Sequence, residues 1–220
     1  MESKQVTSEY EKVIQYIDRL IWQGDLQVGS KLPTERAIAE TLGIGRNSTR
    51  EALSILHGMG MIERVQGSGN YISRNAGNSI HRILRMMLAL GTITGQEITE
   101  FRCMMEKAVC LALFDQDLSK EQQTCFEELL QRMEAASTEE LLELDKTFHA
   151  KLIYATGNPL FILLLQSVSE LYQEQIARVL QHADAIGRRE LLTQHRAIYY
   201  HLTQKDKEAL LEAIDRHYIR

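Results

Sequence analysis

Apolar side chains recur at helical spacing in three separate segments near the start of the chain. The first segment covers residues 8–23 and the third covers residues 46–58. The second begins directly after Thr34, its predicted N-cap. Residues 61–73 instead alternate apolar and polar side chains around a Gly-Ser-Gly turn, which is typical of two short strands. Three helices followed by a β-hairpin predict a winged helix-turn-helix domain, which we assign to residues 1–75.

From residue 80 onward the hydrophobic periodicity is helical throughout, which predicts a mainly α protein. We expect residues 80–220 to form an all-helical bundle of six or seven helices, joined to the first domain by a polar linker at residues 76–79. A marked break falls at 157–159 (Gly-Asn-Pro), where glycine suits a helix end, asparagine a cap and proline a first helical turn. The expected helices cover 80–90, 96–115, 119–135, 138–156, 159–183, 187–204 and 206–219.

The composition is that of an ordinary globular protein, with 44% hydrophobic and 25% charged residues. Apolar runs stay shorter than the roughly 18 residues of a membrane span, and the first residues lack the layout of a signal peptide. We therefore expect a cytoplasmic protein that makes no use of a membrane. In that compartment disulfides are rare, so Cys103 and Cys110, on one face of a predicted helix, are expected to be small apolar core residues.

The net negative charge of the chain comes entirely from the residues after 75. The net charge is −5, yet residues 1–75 contain nine basic and nine acidic residues and are neutral. Residues 30–50 include four basic and two acidic residues. This distribution is compatible with a protein that binds DNA through one end only.

The third predicted helix begins with the run Arg46-Asn47-Ser48-Thr49-Arg50, while apolar residues further along face inward. A helix of this kind fits the major groove and presents its first side chains to base edges, where arginine can donate two hydrogen bonds to guanine. Gly67, at the tip of the hairpin, allows close approach of the backbone to a groove. The alternative is that Arg46 and Arg50 only solvate a helix face, but the complete three-helix and hairpin pattern favours DNA binding.

Over residues 10–73 the sequence resembles the GntR family of bacterial regulators. The similarity lies in three motifs, LPTER at 32–36, RNSTREAL at 46–53 and the GSG turn at 67–69. It implies DNA contacts by Arg36, Arg46, Arg50, Gln66 and Gly67, and homodimers on palindromic operators. Gly45 stands where the family often has a serine or threonine, which removes one possible phosphate contact.

A set of possible metal ligands lies in the second domain. Asp145 and His149 are four residues apart and share a helix face, and His195 and His217 lie on the two helices that follow later in the chain. Three imidazoles and one carboxylate can hold a divalent ion and leave room for water or a ligand. From spacing alone, surface histidines or hydrogen-bonded core histidines are the alternative.

Residues 98–219 are similar to the FCD ligand-binding domain of the FadR branch of the same family. The matching pieces are RxxxE at 102–106, DKTFH at 145–149, Gly-Asn at 157–158, HRAI at 195–198 and the segment 206–217. In metal-binding members the Asp and three His coordinate one ion, so the resemblance implies this role for the set named above. Zinc, manganese and nickel all remain open. His57, His81, His182 and His201 match no motif and are expected to be structural.

The resemblance also implies a small carboxylate or sugar acid as effector, bound at an open position of the metal. Arg102 is a candidate second anchor, since guanidinium holds carboxylate in a two-bonded fork. Its alternative is an ion pair with Glu106 on the same helix.

These observations predict a ligand-controlled transcription regulator, with repression as the working hypothesis, and no enzyme. Two alternatives stay open. A metal-free acyl-CoA sensor is disfavoured because such members have usually lost the metal ligands. A metalloenzyme is disfavoured because the sequence shows no further carboxylate at the spacing of a general base.

Overall fold

The computed structural model describes residues 8–74, 77–182 and 185–218, with the backbone alone described over 172–182 and 185–186. Over these residues the chain forms ten α-helices and two β-strands. The chain divides into two compact units, residues 1–79 and 80–220. The mainly helical fold with one small antiparallel sheet confirms the predicted fold class.

The first unit contains three helices and a hairpin. Its elements are α1 (Glu9–Trp22), α2 (Glu35–Leu42), α3 (Arg46–Gly58), β1 (Ile62–Val65) and β2 (Gly69–Ile72). Side chains and backbone at the ends explain these bounds.

Ser8 and Glu11 form a capping box at the start of α1, and the Thr34 hydroxyl accepts a hydrogen bond from the Ala37 amide at the start of α2. Gly43 ends α2 in the left-handed conformation, with φ of 64°. The fully or almost fully buried core of this unit includes Val13, Ile17, Ile38, Ala52, Leu53 and Ile62.

The two strands pair antiparallel, with Ile62 opposite Ile72 and Val65 opposite Gly69. The turn between them needs glycine, because Gly67 and Gly69 have φ of 74° and 125°. The hairpin that the alternating pattern predicts is thereby confirmed.

The second unit is built of helices. They are α4 (Gly77–Ala89), α5 (Gly95–Phe114), α6 (Lys120–Ala135), α7 (Thr138–Ala155), α8 (Pro159–His182), α9 (Ala185–Thr203) and α10 (Lys207–Tyr218). Each differs from its predicted span by three residues or fewer at either end.

The largest of these differences is at the linker. α4 already begins at Gly77, so three of the four residues assigned to the linker lie in its first turn, and residue 76 falls outside the described residues. The polar side chains of Asn78 and Ser79 suggested a loop, but Ser79 is buried. Tertiary contacts outweigh the local preference of such residues for loops.

Helix α5 occupies the centre of the bundle and packs against α7, α8, α9 and α10. Three helices, α5 to α7, begin with capping boxes, and the side chain of Asn158 accepts hydrogen bonds from the first amides of α8. Gly157 before it has φ of 62°, as the predicted break requires. The core contains Val109, Phe126, Phe148, Leu152, Ile198, Leu210 and Ile214.

All three cysteines are free thiols. Burial raises the pKa of Cys103 to about 11 and that of Cys110 well above its ordinary value. Both therefore act as small apolar core residues, as predicted from their spacing. Across the described helices, none is both long enough and apolar enough to cross a bilayer.

Candidate metal centre and DNA-binding surface

Four potential metal ligands come together in the middle of the helical bundle. Helix α7 contributes Asp145 and His149 one turn apart, α9 contributes His195, and α10 contributes His217. None of the four is more than 4% exposed. Burying a carboxylate beside three imidazoles is costly unless the group is internally balanced, so this arrangement demands an explanation.

The ligand atoms point at one another. His149 Nε2 lies 3.1 Å from His217 Nε2 and 3.3 Å from His195 Nε2, and Asp145 Oδ1 lies 3.2 Å from His195 Nε2. One atom from each of the four residues falls within 4.8 Å of all the others. An ion about 2.1 Å from each ligand holds neighbouring ligand atoms about 3.0–3.4 Å apart in octahedral or tetrahedral geometry. The observed spacing fits such an ion.

Hydrogen bonds on the far side of two rings fix which nitrogen faces the centre. His195 Nδ1 lies 2.8 Å from the carbonyl of Leu191, which can only accept, so Nδ1 carries the proton. His149 Nδ1 lies 2.6 Å from Glu106 Oε2. Protons at both Nδ1 positions leave the Nε2 lone pairs of the neutral rings directed inward, which is the orientation of metal-binding histidine.

The carboxylates of this centre are ionised in spite of their burial. Burial alone would raise the pKa of Glu106, but the charge and hydrogen bond of His149, the charge of His217 and the Tyr218 hydroxyl hold it at about 2. Burial opposes the ionisation of Asp145 too, yet His149 and His195 keep its pKa well below the usual range. The site therefore contains two carboxylates that stay ionised.

The histidines respond to these carboxylates in different ways. Burial would lower the pKa of His149, but Glu106 and Asp145 raise it to about 9. Burial and the charges of His195 and His149 lower the pKa of His217 well below its ordinary value. A proton on His149 offsets the charge of only one carboxylate, whereas a divalent ion can be bound by all four residues at once.

Arg102 lies close to this centre. It is 5% exposed on α5, and its guanidinium stands over the ring of Tyr218 at 5.5 Å. The Tyr218 hydroxyl donates to Glu106 Oε2 at 2.6 Å, so Arg102 is linked to His149 through two intervening side chains. From sequence, Glu106 was expected only as a possible ion-pair partner of Arg102, and neither its contact with His149 nor the hydrogen bond from Tyr218 was predicted.

One signal could have indicated the role of Glu106. It lies on the same face of α5 as Val109, Cys110 and Leu113, which are buried. A carboxylate on an apolar helix face needs a partner elsewhere in the fold. The partner itself, 43 residues away on α7, was not accessible to local pattern analysis.

The residues proposed to contact DNA lie at three places, with Arg36 exposed in the first turn of α2 and the others at the start of α3 and at the hairpin turn. Arg46, Asn47 and Arg50 are exposed, and Gln66 and Gly67 are exposed at the turn. Thr49, Ala52, Leu53 and Leu56 point into the core on the other side of α3. Ser48 is half-buried, and its hydroxyl donates to Glu9 Oε2 at 2.6 Å.

Two of the arginines are held by neighbouring carboxylates. Arg36 Nε lies 2.8 Å from Glu40, and Arg50 Nη2 lies 3.1 Å from Glu35. Both arginines and Glu40 are well exposed and Glu35 is about one-third exposed, so each ion pair contributes at most about 1 kcal/mol. Such pairs orient the guanidinium groups and exchange easily for a phosphate. Arg64 of β1, which donates to Ser54 of α3 at 2.7 Å, adds a cation that the sequence analysis did not select.

Two family models match the chain, one for each unit. The model described as bacterial regulatory proteins, gntR family, matches residues 9–72, and that of the FCD domain matches residues 97–220, more than half of the chain. The two resemblances found in the sequence are thus confirmed.

Individual relatives agree with this assignment. The Glc operon transcriptional activator of Escherichia coli K12 is 30% identical over 167 residues, which is 73% of this chain and 66% of that protein. The regulator LutR of Bacillus subtilis is 30% identical over 156 residues, 70% of this chain and 71% of that protein. The solved structure of Streptococcus agalactiae GntR, 26% identical, superposes with a TM-score of 0.70 and covers 96% of this chain and 97% of its own.

These relatives are regulators of transcription and not enzymes, in agreement with the expectation from the sequence. The protein is therefore a DNA-binding transcription regulator of the GntR family whose second domain is an FCD domain.

Proposed function

We propose that this protein is a ligand-responsive repressor whose FCD domain holds a divalent metal ion and binds a small carboxylate or sugar acid. One observation carries the metal assignment, namely the convergence of one ligand atom each from Asp145, His149, His195 and His217 in a buried centre. The donor set of three imidazoles and one carboxylate suits zinc, manganese or nickel. The bound ion would supply Lewis acidity toward the carboxylate of the effector.

Arg102 is the proposed second anchor for the effector. It is a buried cation next to Tyr218, whose hydroxyl belongs to the hydrogen-bonded group around His149. A guanidinium recognises a carboxylate through two parallel hydrogen bonds. An effector with two acidic or polar ends would thus be held at the metal by one end and near Arg102 by the other.

On the DNA side, we propose that the protein binds a palindromic operator as a homodimer. Two-fold symmetry would place one copy of α3 in each half-site. The contacts would come from Arg36, Arg46, Asn47, Ser48, Arg50, Gln66 and Gly67. The exposed positions of six of these residues support the proposal, and Ser48 would have to exchange its contact with Glu9 for one to DNA.

Control requires the effector to favour one arrangement of the protein over another. If effector releases the operator, then operator must weaken effector binding by the same factor. The relative named an activator shows that the family includes regulators of the opposite sign, so a reporter fusion with and without effector decides between repression and activation.

Metal analysis of purified protein tests the central claim. Mass spectrometry should find stoichiometric metal in the wild type and its loss in His149→Ala and His195→Ala, while His57→Ala, at an exposed position on α3, should keep it. Metal absent from every preparation, including protein incubated with zinc, manganese or nickel and desalted, would favour the metal-free acyl-CoA sensor. Hydrolysis of candidate sugar acids by metal-loaded protein would favour the metalloenzyme.

A further inference from the structure

A second cleft in the helical unit lies apart from the metal centre. It has a volume of about 540 Å³ and lies between the end of α6, the start of α7 and α9. This is within the range of about 300–1,000 Å³ that small-molecule sites occupy. The cleft has an apolar floor and a cationic rim. The floor contains Met133, Leu141 and Leu192, and the rim contains Arg188, Arg189 and Arg196.

The rim concentrates positive charge on one face of α9. Arg188 and Arg196 are two helical turns apart and so lie on the same side, with Leu192 between them. Among the lining residues whose side chains the structure describes, Glu134 is the one acidic residue, compared with three arginines. Three guanidinium groups and one carboxylate give the described lining a net positive charge, which favours a negatively charged ligand.

Two of the three arginines are already oriented by the protein. Arg188 Nη1 donates to the Thr138 hydroxyl at 3.2 Å, and Arg196 forms an ion pair with Glu134. Arg196 and Glu134 are both about half exposed, so their pair is weak and can yield to a stronger anion.

Other acidic side chains near the start of α7 do not cancel this charge within the cleft. Glu139 and Glu140, in the first turn of α7, line a neighbouring depression, which meets the cleft at Ala136 and also contains Arg132. The carboxylate of Glu140 also accepts hydrogen bonds from Ser137 in the capping box. These bonds lower the pKa of Glu140 and hold its charge at the start of α7.

The cleft and the metal centre share α9 but no residue. Leu192 lines the cleft, and the preceding Leu191 accepts the hydrogen bond from His195 that orients this metal ligand. All four candidate metal ligands are buried, whereas Arg189 and Arg196 are exposed. An anion in the cleft would therefore bind at the surface, separately from an effector on the metal.

We propose that this cleft is a second ligand site, which takes a small organic anion with two negative charges and an apolar body. Guanidinium groups recognise phosphate and carboxylate alike through paired hydrogen bonds, so either group can meet the rim. The apolar floor adds affinity for an anion that carries a ring or alkyl group over an inorganic anion of equal charge.

Isothermal titration calorimetry with phenyl phosphate, phthalate and inorganic phosphate tests this site. The expected result is saturable binding of phenyl phosphate or phthalate, with inorganic phosphate about tenfold weaker or worse because it lacks the apolar body. The first two probes have the same ring and a similar charge, so their comparison distinguishes a phosphate site from a carboxylate site. Absence of saturable binding by both at low salt would overturn the proposal.

Substitutions of the rim arginines test whether the probes bind in the cleft. Arg188→Ala combined with Arg196→Ala should weaken the better probe by about tenfold or more, and the two lysine replacements should restore part of the loss, since lysine retains charge without the planar fork. Arg216→Ala is the matched control, because this exposed arginine of α10 pairs with Glu212 outside the cleft. An equal loss in the control, or none in the double variant, would contradict the assignment to the cleft.

The metal centre must be excluded as the place where the probes bind. Titrations of chelator-treated wild type and of His149→Ala should give the same affinity as untreated protein, since neither change touches the cleft. Probe binding that disappears in both, yet survives in the double arginine variant, would assign the ligand to the metal and refute a second site. This outcome would leave the proposed metal-dependent regulator intact, so the two proposals fail separately.

Discussion

Glu106 Oε2 lies 2.6 Å from Nδ1 of His149, and both side chains are buried. The same oxygen accepts a hydrogen bond from the Tyr218 hydroxyl. Through this contact a carboxylate on α5 sets the orientation of an imidazole on α7 and directs its Nε2 toward His195 and His217. Residues that hold the far nitrogen of a ligating histidine tune both its orientation and its basicity.

Glu106→Gln should weaken metal binding by about 10- to 100-fold, because the amide keeps the shape but loses the charge that supports His149. Competition with a chromophoric chelator measures this affinity directly. Glu100→Gln, an exposed position on the same helix, should leave it unchanged. An affinity equal to wild type in Glu106→Gln would show that the contact with His149 has no influence on the ion.

Removal of metal should destabilise the protein, because two ionised carboxylates and three imidazoles then remain in the core without a divalent ion. A ligand that binds only the folded state stabilises it by about 4 kcal/mol when its free concentration is about 1,000 times its Kd. Calorimetry with and without chelator should therefore show a lower Tm for stripped wild-type protein. The His149→Ala and His195→Ala double variant should show no response to chelator, and a response there would place the metal elsewhere.

Arg46→Ala should weaken operator binding by about 1–3 kcal/mol and relax the preference for one base pair in each half-site. The exposed position of Arg46 in the first turn of α3 is the reason. Titrations of fluorescent operator DNA and of single-base variants measure both effects. Arg19→Ala, which removes the same charge from an exposed position on α1, serves as the control. Equal losses for the two variants would indicate general attraction to DNA and no base contact.

Cys125 should react with iodoacetamide before the other two cysteines in the native protein. It is partly exposed on α6, whereas Cys103 and Cys110 are buried and burial raises the pKa of both thiols. The thiolate is the reactive form, so a raised pKa and low access both slow the reaction. Peptide mass spectrometry after short labelling gives the order, and rapid labelling of Cys110 would contradict the observed packing of α5.

Local structure was predictable from sequence because its causes are local. Hydrophobic periodicity located every helix, and short-range caps such as Ser137 with Glu140 explain where several of them begin. The turn at Gly67 and the break at Gly157 were recognisable because both require a left-handed backbone. The start of α4 was missed because the burial of Ser79 depends on contacts that its own neighbours do not reveal.

The chain alone determined which residue types were available for metal and DNA, and it placed Asp145 and His149 on one helix face by their spacing. Only the tertiary structure brought His195 and His217 next to these two residues. They follow His149 in the chain by 46 and 68 residues. It alone also paired Glu106 with His149 and collected three arginines around an apolar floor. The physical reason is that periodicity encodes the face of each helix, whereas the meeting of faces depends on how the whole core packs.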